Sequence, residues 1–380
     1  MTAFPGRWIT SFGALVLEGK GATLTGTYRY GATQGQLEGV ARGGVLRFNY
    51  TEPRESGSGE FRLLRIGKFA GRYTVRGEKI ARLWDGHRGW DGLWETDFGR
   101  LRLIHDERGV HGSYAGAGHA TVLGKANEST FSFRYRERMG SGEGRFSLAG
   151  DHESFAGEWR AQGKRDWQPW KGQRVHPVPG LKWLVVLEAH WQRSLAEPDY
   201  AFGHMLRELF ARKPQVRVRQ RFFDDAESLR HGCRELLFIA EPVILMIASH
   251  GRADGLSVHG RRIDTAPVLD TLQSAENLEL LHFSSCLVGL DRDKALRGRP
   301  FPVSGYTTSV DWGASALLEF TYLDLMLNRG LSPAAAAAQL PVLVPHAGKR
   351  APSGSAYRAA GFRFVPAAST NVLVPIRKLA

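Results

Sequence analysis

The sequence is poor in cysteine and contains no long apolar segment. Only Cys233 and Cys286 occur among its 380 residues, which excludes a disulfide framework and favours a reducing compartment. No apolar run approaches the roughly 20 residues that a bilayer-spanning helix needs. The first residues also lack the basic stretch and apolar core of a secretory signal. We therefore expect a cytoplasmic protein without a membrane span.

Runs of like charge and metal-ligand patterns are missing as well. The chain carries 51 basic and 38 acidic residues, a formal net charge of +13, which in a concentrated patch would indicate nucleic-acid binding. Here the basic residues are spread along the sequence, and the stretch RVRQR (217–221) alternates as a strand does. A basic surface without nucleic-acid binding is the favoured interpretation. No Cys-x-x-Cys pair or close histidine cluster indicates zinc, so we predict neither a metal site nor a cofactor.

The first half of the chain consists of two copies of one unit. GRWITSFGALVL (6–17) returns as GLWETDFGRLRL (92–103), and LRFNYTE (46–52) returns as FSFRYRE (131–137). Within each copy, apolar and polar residues alternate over short runs that glycines interrupt, as in antiparallel strands joined by tight turns. We predict an all-β antiparallel tandem repeat, with one copy at 1–88 and the other at 89–175.

The strand pattern of each copy resembles that of small up-and-down barrels of the avidin or lipocalin kind. The repeated Trp8/Trp94 and Tyr28/Tyr114 are interpreted as core residues of the two copies, with a ligand cavity as the alternative. The pattern leaves open whether each copy closes on itself or whether both form one larger sheet or barrel.

A change of composition at 176–181 predicts a linker, because two prolines and a glycine fall within these six residues. After it, apolar strands alternate with amphipathic helices, which is the pattern of a mostly parallel sheet covered by helices on both faces. We predict a three-layer α/β domain at 182–380. Its expected strands lie at 182–188, 215–222, 243–249, 278–285, 302–310 and 362–366.

Reactive side chains follow two of these strands. SHG (249–251) ends the third strand and SSC (284–286) ends the fourth. Catalytic groups gather at the carboxyl ends of parallel strands, and a cysteine nucleophile needs a nearby imidazole. His250 and Cys286 are therefore the candidate catalytic pair, and the N–H groups of Gly251 and Cys286 are the candidate oxyanion hole.

These two motifs on consecutive apolar strands resemble the caspase-type cysteine peptidases, most closely the bacterial CHAT group related to caspases and separase. The resemblance covers about 180–380 and leaves the β repeats outside it. It implies a caspase-like fold in which Cys286 forms a thioester with the substrate and His250 acts as the acid and base. The helix after the fifth strand strengthens the resemblance through the order Phe320, Tyr322, Gly330 and Ser332.

The resemblance also implies that residues from the strand after the nucleophile line the first substrate pocket, at about 307–311. Ser309, Val310 and Asp311 occupy this stretch. A carboxylate of Asp311 in the pocket would favour Arg or Lys in the substrate by direct ion pairing. The alternative is that Asp311 only caps the helix that begins beside it.

The sequence as a whole favours a bacterial caspase-like cysteine endopeptidase that cleaves a protein substrate. The N-terminal β module would serve regulation, sensing or substrate recruitment. The resemblance implies a role in antiphage defence or programmed cell death, with a pore-forming or toxin protein as substrate by analogy. The alternative is a ligand- or protein-binding β module joined to an inactive caspase-like scaffold. The presence of both His250 and Cys286 argues against that alternative.

Overall fold

A computed structural model describes residues 4–78, 81–115, 120–192, 196–197, 200–288 and 296–368 of the chain. The chain divides into two compact units, Met1–His176 and Pro177–Ala380. We call the first the β unit and the second the α/β unit.

The first copy of the repeat closes on itself as an antiparallel barrel. Its strands are, in chain order, β1 (Gly6–Thr10), β2 (Gly13–Glu18), β3 (Thr23–Tyr30), β4 (Thr33–Arg42), β5 (Val45–Thr51), β6 (Ser56–Arg65), β7 (Lys68–Val75), β8 (Arg82–Leu83) and β9 (Gly86–His87). Consecutive strands from β1 to β7 pair with each other, and β9 pairs with both β7 and β1. The ring is thereby closed without help from the second copy.

The second copy forms another closed antiparallel barrel, of eight strands. These strands are β10 (Gly92–Thr96), β11 (Gly99–Asp106), β12 (Gly109–Tyr114), β13 (Ala120–Ala126), β14 (Thr130–Arg136), β15 (Ser141–Leu148), β16 (Ser154–Ala161) and β17 (Gln168–Arg174). The last strand pairs with the first and completes the ring. The structure thus decides the question that the sequence leaves open, since each copy closes alone.

The alternating pattern of the strands places aromatic side chains inside each barrel. Trp8 and Tyr28 lie in the first core, Trp94 and Tyr114 lie in the second, and none of the four is more than 3% exposed. The interpretation of these residues as core is confirmed, and Tyr28 in addition lines a cavity at one end of the first barrel. Gly35 is required beside one of them, because a Cβ at this position would collide with the ring of Tyr28.

Asp91 is a buried carboxylate that ties the two barrels together. Its oxygens accept hydrogen bonds from Arg65 at 2.5 and 2.9 Å and from the backbone N–H of His105 at 3.0 Å. The ring of His87 lies 2.8 Å away through Nδ1. Burial alone would raise the pKa of Asp91, but the hydrogen bonds from His87 and Arg65 and the charge of Arg65 outweigh it, so the pKa lies well below its ordinary value.

A six-stranded sheet forms the centre of the α/β unit. Its strands are β18 (Lys182–Ala189), β19 (Val216–Phe223), β20 (Val243–Ala248), β24 (Leu278–Ser284), β25 (Val303–Tyr306) and β26 (Phe362–Val365). They lie in the order β19-β18-β20-β24-β25-β26. All neighbours are parallel except the last pair, in which β26 runs antiparallel to β25. A small antiparallel sheet consists of β21 (His250–Arg252), β22 (Gly255–Val258) and β23 (Arg261–Ile263).

Helices cover both faces of the six-stranded sheet, so the expected three layers are present. They are α1 (Phe202–Phe210), α2 (Ala226–Glu235), α3 (Ala266–Leu272), α4 (Trp312–Leu327) and α5 (Pro333–Leu343), with short 3₁₀ turns at Leu236–Phe238 and Pro345–Ala347. Helices α2 and α3 pack on one face, and α1, α4 and α5 pack on the other. Within the described part of the chain, no helix is long and apolar enough to cross a membrane.

The fifth strand of this sheet is shorter than the sequence predicts. A strand is expected over 302–310, but β25 ends at Tyr306. Beyond it the hydroxyl groups of Thr307 and Thr308 donate hydrogen bonds to carbonyl oxygens at 359–361. These polar contacts hold the following residues out of the sheet and lead the chain toward α4.

Candidate active site

The ends of strands β20 and β24 bring the two candidate catalytic residues to the same edge of the sheet. The strands are adjacent and parallel, with Ala248 opposite Ser284. Beyond this pair the N–H of Ser249 donates to the carbonyl of Ser284 at 3.3 Å, and the hydroxyl groups of Ser249 and Ser285 lie 3.3 Å apart. His250 follows Ser249, and Cys286 follows Ser285. The register of the two strands therefore brings both residues to the same edge of the sheet.

Gly251 lies directly against the backbone of Cys286. A Cβ on Gly251 would collide with the carbonyl oxygen of Cys286 and would lie 2.6 Å from its nitrogen. Both are backbone atoms that cannot rotate away, so only glycine fits. The two residues predicted to form the oxyanion hole are therefore in contact, although they lie 35 positions apart in the chain.

The sulfur of Cys286 is half-buried and faces the backbone of Val310. The N–H of Val310 donates to Sγ at 3.4 Å, and the thiol can donate to the carbonyl oxygen of Val310 at 3.6 Å. An N–H donor at this position stabilises negative charge on the sulfur. Cys233, in contrast, is fully buried in the core, where burial raises the pKa of its thiol to about 12.

The backbone next to the candidate nucleophile is strained. Leu287 has a φ of 63°, a left-handed conformation that is uncommon for a residue with a side chain. Its N–H donates to the carbonyl of Thr308 at 3.2 Å, which helps to hold this conformation. Strain of this kind costs about 1–3 kcal/mol and tends to occur at functional sites. It is an indication of function that the sequence pattern does not contain.

Trp191 packs against the imidazole of His250. The two rings meet edge to face, with centroids 5.1 Å apart and planes at 82°. The indole Nε1 of Trp191 donates to the carboxylate of Glu188 at 2.6 Å. Trp191 thus connects the exposed His250 to Glu188, a fixed point inside the sheet.

Glu188 is that fixed point, and sequence reasoning does not single it out. Its side chain is completely buried at the carboxyl end of β18. Besides Trp191, it accepts hydrogen bonds from the backbone N–H groups of Phe202 and Gly203 at 2.7 and 3.0 Å and from Gln220 at 2.6 Å. The first two groups begin α1, where unpaired N–H groups and the helix dipole favour a negative charge. The sequence contains one signal that could have identified Glu188, which is the single acidic residue in the otherwise apolar run WLVVLEA.

A cavity of about 590 Å³ opens beside His250 and Cys286. Its lining residues are mostly aromatic or small and polar: Trp191, Tyr200, Phe202, Ser249, His250, Ser284, Ser285, Cys286, Tyr306, Val310, Trp312 and Ser315. Of the three residues predicted for the substrate pocket, only Val310 lines this cavity. Ser309 and Asp311 are exposed beside it.

Asp311 has the local role that was the alternative to a pocket residue. Its carboxylate accepts a hydrogen bond from the N–H of Ala314 at 3.0 Å, and its carbonyl accepts one from Ser315. Asp311 is the N-cap of α4. Asp311 therefore caps α4, and aromatic residues form much of the cavity wall.

A buried polar network lies behind the cavity wall. Tyr306 donates to Glu319 at 2.8 Å, and the ring of His282 lies 3.2 Å from the same oxygen through Nε2 and 2.9 Å from the hydroxyl of Ser304 through Nδ1. Burial, followed by the charge and hydrogen bond of Glu319, raises the pKa of Tyr306 well above its ordinary value. Tyr306 therefore presents a neutral phenol to the cavity, and His282 is a structural residue.

The described residues contain no group of three or more His, Cys, Asp or Glu side chains arranged to hold a metal ion. In comparisons with protein-family models and with curated proteins, nothing matches this chain. The functional argument therefore depends on the geometry of the site.

Proposed function

We propose that the α/β unit is a cysteine endopeptidase of the caspase-like CHAT kind, with Cys286 as nucleophile and His250 as acid and base. One observation carries the proposal. The backbone of Gly251 packs on that of Cys286, and the imidazole of His250 and the thiol of Cys286 line the same cavity. Strain at Leu287 adds support, because it lies beside the nucleophile.

The chemistry follows from these groups. The thiolate of Cys286 attacks the substrate carbonyl carbon, and the oxyanion that forms is placed near the N–H groups of Gly251 and Cys286. The C–N bond breaks as the imidazolium of His250 gives its proton to the leaving amine. Water then gives a proton to His250 and attacks the thioester, so that the C–S bond breaks and the thiolate returns.

The cavity supports a substrate side chain that is apolar or aromatic. Trp191, Tyr200 and Trp312 form part of its wall, and none of the described lining residues carries a carboxylate. A basic substrate side chain would find no carboxylate among the described lining residues, because Asp311 lies outside that lining as the N-cap of α4. An aromatic wall instead binds an apolar or aromatic substrate side chain through apolar contact and edge-to-face packing.

The β unit completes the proposal as a regulatory, sensing or substrate-recruiting module. A protein substrate, by analogy a pore-forming or toxin protein, and a role in antiphage defence or programmed cell death are what the resemblance to CHAT peptidases implies. The cytoplasmic location rests on the low cysteine content and the sequence pattern instead. The second candidate function is a binding protein in which the β unit binds the ligand and the α/β unit is an inert scaffold. A cavity in the first barrel, lined by aromatic residues and two glutamates, supports this candidate.

A peptide-library cleavage profile tests the proposal. We expect the full chain to cleave after apolar or aromatic residues, and we expect Cys286→Ala to abolish cleavage. Cys233→Ala is the matched control and should retain full cleavage, because Cys233 lies in the core away from the cavity. Cleavage that survives Cys286→Ala would overturn the enzyme proposal, as would a wild-type chain that neither cleaves nor reacts with a thiol-directed peptide probe.

A further inference from the structure

A second cavity lies at one end of the first barrel, in the β unit. Its volume is about 210 Å³. The turns that join β1 to β2, β3 to β4 and β5 to β6 meet at this end, so its walls come from non-adjacent parts of the chain. The lining residues are Phe12, Tyr28, Tyr30, Thr33, Tyr50, Glu52, Glu55, Tyr73, Arg82 and Trp84.

Aromatic rings form most of this wall and hold each other in place. Phe12 contacts Tyr30, Tyr73 and Trp84 edge to face, with ring centroids 5.2 to 5.7 Å apart. Tyr30 is half exposed, whereas Trp84 is buried. Faces of such rings carry negative potential and attract cations.

Two half-buried carboxylates complete the wall. The hydroxyl of Tyr28 donates to Oε1 of Glu52 at 2.7 Å, and that of Tyr50 donates to Oε1 of Glu55 at 3.0 Å. Each carboxylate is thus fixed through one oxygen, which leaves the second oxygen for a ligand. The glutamates also raise the pKa of both tyrosines, after the larger effect of burial, so the phenols stay neutral.

Among the described lining residues, Arg82 is the one cation, and it interacts with Tyr73, Glu78 and Glu55. Arg82 is exposed, and its guanidinium pairs with Glu78 at 2.9 Å. Two carboxylates therefore face this cavity in a chain whose formal net charge is +13. This local reversal of sign favours a positively charged ligand.

The second barrel shows that the second carboxylate is not needed for the fold. Its Glu137 corresponds to Glu52 and accepts a hydrogen bond from Tyr114, as Glu52 does from Tyr28. By the same alignment, LRFNYTEPRESG with FSFRYRERMGSG, the position of Glu55 is occupied by Gly140. Both barrels close, so the additional acid in the first barrel has no structural necessity.

We propose that this cavity binds a small organic cation, an alkylammonium or a guanidinium group. The rings supply cation–π attraction, and the free oxygens of Glu52 and Glu55 supply charge-assisted hydrogen bonds. The volume is below the roughly 300–1,000 Å³ of pockets for drug-sized ligands, so it suits one compact cationic group. The site lies in the β unit and does not depend on the activity of Cys286.

Calorimetric titration of the full chain with choline and with agmatine tests the site. The neutral isostere of choline, 3,3-dimethylbutan-1-ol, is the matched control ligand. We expect at least one of the cations to bind, and the neutral analogue to bind about 10-fold more weakly or not at all. Equal binding of choline and its neutral isostere would overturn the proposal, as would failure of both cations to bind the folded chain.

Matched variants assign the binding to these residues. The double variant Glu52→Gln/Glu55→Gln should weaken cation binding about 10-fold or more, while Glu137→Gln removes the corresponding acid of the second barrel and should leave the affinity unchanged. Equal effects of the two changes, with circular dichroism showing folded protein in both, would contradict the assignment. A peptide that carries one arginine is titrated beside agmatine. The comparison shows whether the site prefers the guanidinium of a protein side chain or that of a free small molecule.

Discussion

Two of the cavities in the described part of this protein have aromatic walls but different polar groups. In the first barrel, four tyrosines, Trp84 and Phe12 surround two carboxylates. In the α/β unit, five aromatic residues surround a thiol, an imidazole and four serine hydroxyls, and no carboxylate lines that cavity within the described residues. Aromatic lining alone therefore says little about function.

The polar groups decide the difference. Glu52 and Glu55 carry fixed negative charge that can hold a cation without chemistry. Cys286 and His250 can exchange a proton and form a covalent bond with a carbonyl carbon. The comparison separates a binding site from a candidate catalytic site, and the predictions below test the two sites and the units that carry them.

The largest expected effect concerns the aromatic walls. Trp84 is 2% exposed and contacts Phe12, Tyr28 and Tyr73 among other rings, so Trp84→Ala should destabilise the β unit by about 3–5 kcal/mol. Trp312 is 50% exposed, and Trp312→Ala should cost about 1 kcal/mol or less. Urea unfolding of both variants measures the contrast, and equal losses would show that the two walls are not built differently.

The next effect concerns the buried ion pair of the β unit. Asp91→Asn removes the buried carboxylate that pairs with Arg65 and should cost about 3 kcal/mol at neutral pH. Glu95→Gln breaks an exposed pair with Arg100 and should cost less than about 1 kcal/mol.

The pH dependence of that ion pair has a defined sign. The pKa of Asp91 is lowered on folding, so its contribution is complete above the ordinary carboxyl range near pH 4 and is lost as pH falls below that range. The pKa of His87 is lowered by burial, so stability also declines as pH falls below about 6.5. Unfolding midpoints of wild type and Asp91→Asn should therefore converge in acid, and a constant gap down to pH 2 would contradict this account.

Glu188 tests whether the candidate catalytic histidine is positioned by the sheet. Glu188→Gln replaces a carboxylate that accepts four hydrogen bonds, so Trp191 should lose its place against His250. Displacement of a catalytic group by about 1 Å can cost about 100-fold in rate. We expect a loss of about 10- to 100-fold in labelling of Cys286 by a peptide chloromethyl ketone.

The control for this prediction is Glu279→Gln, which breaks a partly exposed pair with Lys182 and should leave labelling unchanged. A positioning role also requires that Trp191→Leu slows labelling and that its combination with Glu188→Gln is no slower than the more impaired single variant. Additive losses with unaltered unfolding midpoints would show that Glu188 does not act through Trp191.

The sequence predicts the strands of this protein better than it predicts the walls of its cavities. Alternation and repeated turns are local signals, so the β repeats and the α/β half are apparent from them. The common edge of His250 and Cys286 also follows from a rule, because adjacent parallel strands end together. Barrel closure is not encoded in alternation, since an open and a closed sheet share the same pattern.

The missed residues lie where no periodic pattern exists. Trp191 and Tyr200 fall between β18 and α1, where both line the cavity, and Trp191 is held there by its hydrogen bond to Glu188. The assignment of Asp311 to the pocket came from the resemblance, with a helix cap as the alternative, and its carboxylate accepts a hydrogen bond from the first turn of α4. Such roles depend on tertiary contacts that single-sequence reasoning does not contain.

The smallest effect concerns Asp311. Asp311→Ala removes the side-chain cap of α4 and should cost about 1 kcal/mol of stability without changing which peptides are cleaved. Ser332→Ala removes the corresponding cap of α5 and is the matched control. A change in cleavage preference with Asp311→Ala but not with Ser332→Ala would return Asp311 to the substrate pocket.

The rate at which Cys286 reacts with a peptide chloromethyl ketone at neutral pH tests the central claim most directly. We predict that Cys286 reacts at least about 10-fold faster than a free thiol and that His250→Ala removes this advantage, because a general acid or base contributes about 10²–10⁴-fold in such sites. A wild-type chain and a folded His250→Ala variant that both react at the rate of a free thiol would contradict the claim that His250 and Cys286 form a catalytic pair.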